Sequence, residues 1–200
     1  MRKKVQEIMT RLNKDIPALR MAVFAHGDYC DASVYGYVTK WIDFTTNIDD
    51  LCDFVTKVEG TGGGDFAECY ELVLRQVREE LTWTAGTQRS LVMIGDAIPH
   101  DTNYSLNKDN IDWMEEVERL HDELGVQIYS VQCNRNTQAS KFFSSMAQVT
   151  NGKHLHLDNF STMVDIMMSI VYREKGAEFF EVRPNKKCKH QNKTIKSHKT

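Results

Sequence analysis

Apolar positions along the chain change period several times, and each change marks an element. Val5, Ile8, Met9 and Leu12 recur at helical spacing and predict an amphipathic helix over 3–12. Residues 19–25 form a compact apolar run that reads as a buried strand. A turn at 27–31 follows, and 34–44 reads as a second strand pairing antiparallel with the first. Ile48, Leu51, Cys52 and Val55 line one face of a short helix. A glycine-rich stretch, 60–68, then leads into an expected long helix over 66–83, with Tyr70, Val73, Leu74, Val77 and Leu81 facing inward. Strands are expected at 90–94, 126–131 and 153–157, and helices at 110–124, 140–148 and 159–172. Gly125 serves as the stop of the helix before the second of these strands.

Strands alternating with helices imply β-α-β units and a mostly parallel sheet covered on both faces. In such sheets ligands bind at the carboxyl ends of the strands. Asp96 lies at the carboxyl end of the most apolar strand, and Asp28 and Asp31 lie just past the end of an earlier one. The glycine-rich stretch can reach the same edge. The pattern describes one domain over 1–175, with no internal repeat. It fades over 176–200, where the lysines Lys186, Lys187, Lys189, Lys193, Lys196 and Lys199 follow one another without an acid and the composition predicts a disordered, solvated tail.

Composition changes this picture little. A chain of 200 residues suffices for one core, and a net charge of -3 argues against nucleic acid as a partner. Five cysteines, Cys30, Cys52, Cys69, Cys133 and Cys188, include no C-x-x-C pair. They read as free thiols of an intracellular, cytoplasmic protein. No apolar run is long enough to span a membrane, and the charged first helix is no signal region. Oligomeric state is left open.

The candidate chemistry is oxygen-based. Three consecutive glycines, 62–64, let the backbone turn tightly and approach a bound group. Asp65 and Glu68 then stand three apart, on one face of the expected helix. With Asp96, and Thr61 nearby, they form a set free of histidine and cysteine, suited to magnesium, calcium or manganese. The plain alternative is a capping box, with Asp65 as N-cap and Glu68 completing it.

The segments Gly62-Gly63-Gly64-Asp65-Phe66-Ala67-Glu68 and Leu91-Val92-Met93-Ile94-Gly95-Asp96-Ala97-Ile98-Pro99-His100 resemble the second half of a von Willebrand factor A (vWA) domain. They are closest to the branch found in atypical alpha-kinase proteins, which Ala25-His26-Gly27-Asp28-Tyr29-Cys30-Asp31 also resembles. The pattern is similar as well to the metal-binding domain of integrin beta chains. The resemblance implies a doubly wound, Rossmann-like three-layer sandwich, its mostly parallel sheet carrying one antiparallel edge strand. It also implies a metal-ion-dependent adhesion site, where a bound cation keeps one position open for an acidic side chain of a partner protein. On that reading Asp65 or Thr61 is the second-loop ligand, Glu68 the integrin-like acid and Asp96 the strand-end ligand.

Two departures qualify the resemblance. Ala67 stands where the integrin pattern Asp-x-Pro-Glu has proline. The family's Asp-x-Ser-x-Ser motif, expected at the end of a central first strand, is absent. The chain therefore reads as truncated at its amino end, or as completed by a strand from another polypeptide. Without that strand, its two neighbours should keep unsatisfied edges or be forced into direct pairing, and cation binding should be weak or lost.

The function expected from these residues is a non-catalytic protein-interaction module with a partial metal site. The alternative is a fragment of an alpha-kinase-like protein whose catalytic domain lies elsewhere. A magnesium-dependent hydrolase built on Asp96 lacks an evident base. The glycine stretch lacks the Gly-Lys-Ser/Thr of a phosphate loop. His100, beside Asp101, reads as solvated; His154 and His156 as half-exposed strand residues; Met163, Met167 and Met168 as core; Trp41, Trp83 and Trp113 as packing residues.

Overall fold

A computed structural model describes residues 2–16, 18–157 and 162–174. In chain order the elements are α1 (Arg2–Asp15), β1 (Met21–His26), α2 (Asp31–Tyr35), β2 (Thr39–Thr45), α3 (Ile48–Lys57), β3 (Ala67–Glu68) and α4 (Tyr70–Glu80). They continue with β4 (Arg89–Gly95), β5 (Ile98–Pro99), α5 (Trp113–Leu124), β6 (Val126–Gln132), α6 (Thr137–Val149), β7 (Lys153–His156) and α7 (Met163–Glu174). The basic stretch 176–200, Cys188 and the first residues expected in the last helix, 159–161, lie outside the described residues.

Local chemistry sets most boundaries. Asn47 caps α3 by accepting from Asp49 N at 3.0 Å. Asp112 caps α5 by accepting from Met114 N at 2.8 Å, and Asn136 caps α6 by accepting from Gln138 N at 2.8 Å. Gly125 ends α5 in the left-handed region at φ 65°.

Three expectations shift. Helix α4 starts at Tyr70 instead of 66, because Asp65 accepts from Ala67 N at 2.7 Å and closes a turn. Ala67 and Glu68 then extend as β3 to pair in parallel with β5. The capping-box reading of Asp65 and Glu68 falls with that boundary. The stretch expected as one strand from 34 opens with α2, which Gly36 closes at φ 74° before β2 begins at Thr39. Helix α5 begins at Trp113, after a loop in which Asn107 donates to Ile111 O at 3.0 Å and accepts from Ile111 N at 2.9 Å.

The layers are those of a doubly wound sandwich. β4, β6 and β7 form a parallel sheet in that order, with Leu91 opposite Ile128 and Val131 opposite Leu155. β1 and β2 pair antiparallel, so β2 is the antiparallel edge strand. On one face Ala22, Phe24, Leu91, Met93, Val126 and Ile128 pack with α4, α5 and α6. On the other, Met21, Val92, Val131 and Leu155 pack with α1 and α7. Alternate residues of each strand thus enter opposite cores, as the period-two geometry requires. Of the methionines expected in the core, Met163 and Met168 are buried and Met167 packs partly buried beside them. Trp41 stacks on Phe24, Trp83 packs edge-on to Phe44 and Trp113 edge-on to Phe142.

Among the described residues no strand stands between β1 and β4, and the two do not pair with each other. Of the two outcomes expected for a missing central strand, the structure adopts the open edges and not the direct pairing.

Candidate functional site

The chain leaves β1 at Gly27 under tight constraint. A Cβ there would stand 2.3 Å from Asp31 Oδ2 and 2.3 Å from Thr61 Oγ1, so only glycine lets both side chains close over the strand end. Asp31 accepts from Asp28 N at 2.7 Å and from Gly63 N at 3.0 Å, tying the exit of β1 to the glycine-rich stretch. Gly63 adopts φ 67°, and a Cβ there would lie 3.0 Å from Glu68 Oε1.

Asp28 is almost wholly buried at the centre of this edge. It accepts from Tyr29 N at 2.6 Å and from the Cys30 thiol at 3.1 Å, and His100 Nε2 lies 2.6 Å from its Oδ1. Burial raises the Asp28 carboxyl, but the hydrogen bonds from Cys30, His100 and Tyr29 outweigh it and hold the group below its usual range. The bond to Asp28 pushes the Cys30 thiol up to about 11, so it stays protonated as a donor. His100 is buried, against the expectation of a solvated loop residue. It stacks on Tyr104 with ring centroids 3.8 Å apart, and its backbone N donates to Glu71 at 3.1 Å. The Tyr29 hydroxyl donates to the other Glu71 oxygen at 2.8 Å. This shell locks the imidazole in place beside Asp28.

Asp65, His100 and Asp28 each offer one ligand atom, all within 4.8 Å of one another. Asp65 is exposed and lies at the mouth of the group. Glu68 is half-buried beside it; its Oε2 is buried without a hydrogen-bond partner. Burial pushes the Glu68 carboxyl up to about 7, reinforced by the charges of Asp28, Asp31, Asp96 and Asp65. Asp96 stands exposed just past β4, and its backbone carbonyl accepts from Asn134 at 2.7 Å.

The four residues singled out from sequence therefore meet at one edge in different ways. Asp65 and Glu68 face the end of β1, Asp96 contributes charge from the end of β4, and Thr61 packs on Gly27. Sequence reasoning placed Asp28 and Asp31 at this edge but left them out of the ligand set, and it missed His100. Only the two-residue β3–β5 pairing brings His100 beside Asp28, and nothing local announces so short a pairing. Elsewhere, His154 and His156 behave as expected: their rings lie 4.7 Å apart, one half-buried and one exposed.

No protein-family model matches the chain. A protein of Acanthamoeba polyphaga mimivirus, named as an ariadne-like RING finger protein, is 25% identical over 149 residues; the match spans 68% of this chain and 14% of that protein's length. Among solved structures, an aerotolerance-related membrane protein from Bacteroides fragilis superposes with a TM-score of 0.57 at 11% identity, over 86% of this chain and 88% of that one. The protein BatB from Bacteroides thetaiotaomicron superposes with a TM-score of 0.59 at 10% identity, over 88% and 89%. The fold is vWA-like. The kinase side of the resemblance has no counterpart among these three matches. A vWA-like sheet puts its carboxyl edge, and hence the group around Asp28, where ligands of open α/β sheets bind. No helix of the described residues is long and apolar enough to cross a membrane.

Proposed function

We propose that this chain is a non-catalytic protein-interaction module of vWA type that engages an acidic side chain of a partner protein through a divalent cation at the edge described above. One observation carries the proposal. Asp28, Asp65 and His100 bring ligand atoms within 4.8 Å of one another, the charges of Asp28, Asp31, Asp96 and Asp65 act on Glu68 beside them, and the buried oxygen of Glu68 has no hydrogen-bond partner. An unpartnered carboxylate oxygen among several neighbouring acids favours a hard cation, and carboxylate oxygens fit magnesium or manganese.

In this reading Asp65, Glu68 and Asp96 are the ligands, Thr61 supplies a hydroxyl from the neighbouring loop, and Asp28 anchors the group from below. The cation would supply one coordination position to a carboxylate from outside. With no Asp-x-Ser-x-Ser motif in the chain, its own ligands give weak binding. The four described cysteines are free, which suits an intracellular setting.

Thermal denaturation across a magnesium or manganese chloride titration tests the reading. Preferential binding to the folded chain raises Tm with cation concentration, and Asp96→Ala or Asp65→Ala blunts the rise. A Tm independent of either cation, or a rise that both variants leave intact, sinks it.

A further inference from the structure

The edge brings an imidazole into a set of carboxylates. Asp28, Asp65 and His100 each place one ligand atom within 4.8 Å of the other two. They come from three separate segments: the turn after β1, the glycine-rich stretch and the residue after β5. Magnesium and calcium draw on oxygen ligands, and their chemistry has no use for a buried imidazole. Imidazole combined with carboxylate is a donor set of zinc and its transition-metal neighbours.

The donors are held in place before any ion arrives. The side chains of Asp28 and His100 are only 1% and 3% exposed. The His100 ring lies flat on Tyr104, with 3.8 Å between centroids and 8° between planes. Its backbone N donates to Glu71 at 3.1 Å, and the Tyr29 hydroxyl donates to the other Glu71 oxygen at 2.8 Å. Asp28 is fixed by Tyr29 N on Oδ1 and by the Cys30 thiol on Oδ2. Outer contacts of this kind set ligand orientation at transition-metal centres.

Two features independent of the donor set provide room and charge. A Cβ on Gly64 would stand 3.2 Å from Cys30 Sγ and 4.0 Å from Asp28 Oδ2, and one on Gly63 would stand 3.0 Å from Glu68 Oε1. Glycine at both positions keeps side chains out of the space over Asp28. Glu68 Oε2 is buried without a hydrogen-bond partner, and of the charges acting on Glu68 that of Asp28 is the strongest.

We propose that Asp28, Asp65 and His100 bind a zinc-class divalent ion, with His100 Nε2 as its nitrogen ligand and a fourth position open beside the exposed Asp65. The ion takes the place of the proton between His100 and Asp28, which leaves to solvent. Their 2.6 Å hydrogen bond opens to about 3.3 Å, the ligand spacing that tetrahedral zinc requires. Imidazole makes the position prefer zinc and cobalt to magnesium. The inference shares Asp65 with the magnesium reading above but does not depend on magnesium binding.

The test uses the full chain, freed of metal with EDTA and exchanged into plain buffer. Cobalt chloride is titrated while visible absorption is followed, and zinc chloride or magnesium chloride is then added. One equivalent of cobalt should develop the intense bands of low-coordinate cobalt. Zinc should abolish them, and a roughly hundredfold excess of magnesium should not. Asp65→Asn and His100→Gln should each weaken cobalt binding at least about tenfold, since loss of an outer contact alone costs that much. Near-UV circular dichroism without metal shows whether each variant folds; if His100→Gln does not, Asp65→Asn, at an exposed residue, decides alone. The other soft donors, the His154–His156 pair and Cys133, serve as controls. A variant with His154→Gln, His156→Gln and Cys133→Ser should bind like the parent. Absence of the bands, bands that Asp65→Asn leaves intact, bands lost in the control variant, or magnesium displacing cobalt as readily as zinc does would each overturn the proposal. A Tm that magnesium leaves unchanged, with the cobalt result intact, overturns the magnesium reading and leaves this one standing.

Discussion

Replacing Glu68 by glutamine isolates the electrostatic strain of the edge. In the folded chain the Glu68 carboxyl is raised from an ordinary 4.5 to about 7, by burial first and then by Asp28, Asp31, Asp96 and Asp65. Because the folded state holds this proton more tightly than the unfolded state, its contribution to stability falls as pH rises from about 4.5 to about 7 and is lowest above that. At about 1.36 kcal/mol per pH unit the full penalty is about 3 kcal/mol. Water screens a half-buried group, which reduces the figure to about 1–2 kcal/mol. Glutamine keeps the shape and removes the charge. Urea unfolding in EDTA at several pH values should show Glu68→Gln more stable than the parent by that amount at pH 8, with the difference shrinking toward pH 5. A variant no more stable at pH 8, or a difference that does not vary with pH, refutes the argument that crowded carboxylates destabilise this edge.

The joint between α4 and α5 gives a second test. Arg78 and Glu116 form a two-pronged buried pair, with Nε–Oε2 at 2.7 Å and Nη2–Oε1 at 3.1 Å. Glu116→Ala leaves the Arg78 charge buried and should cost about 3–5 kcal/mol, while Arg78→Met combined with Glu116→Leu should recover most of it; chemical denaturation of the single and double variants decides. A third test concerns Gly152, where an added Cβ would stand 2.0 Å from the Ile128 carbonyl oxygen. Gly152→Ala should lower stability by about 1–3 kcal/mol, and an unchanged Tm would show that the seam between β6 and β7 can open freely.

Much of the molecule was legible in the residues. Alternating apolar runs and helical stripes determined a sheet covered on both faces, because each period admits one geometry. Caps such as Asp112 and the stop at Gly125 act within a few residues of themselves, so helix α5 was bounded closely at its carboxyl end and within three residues at the other. The position of Asp28, Asp31, Asp65, Glu68 and Asp96 at one edge followed from their places after strands or after the glycine-rich stretch.

Tertiary structure decided what depends on distant partners. Asp65 and Glu68 look like the first turn of a helix in isolation. Pairing of Ala67 with Ile98 turns that stretch into a strand and delays the helix to Tyr70. The same pairing carries His100 inward to Asp28, converting a loop histidine into a buried partner of a carboxylate. Burial of Glu68 among acids from three segments, and with it the raised carboxyl, exists only once those segments meet. The gap between β1 and β4 likewise belongs to the fold. The sequence by itself determined that each is an apolar strand; only the assembled layers show that they lie flank to flank without pairing, because backbone hydrogen bonds between strands are set by distance in space and not by position along the chain.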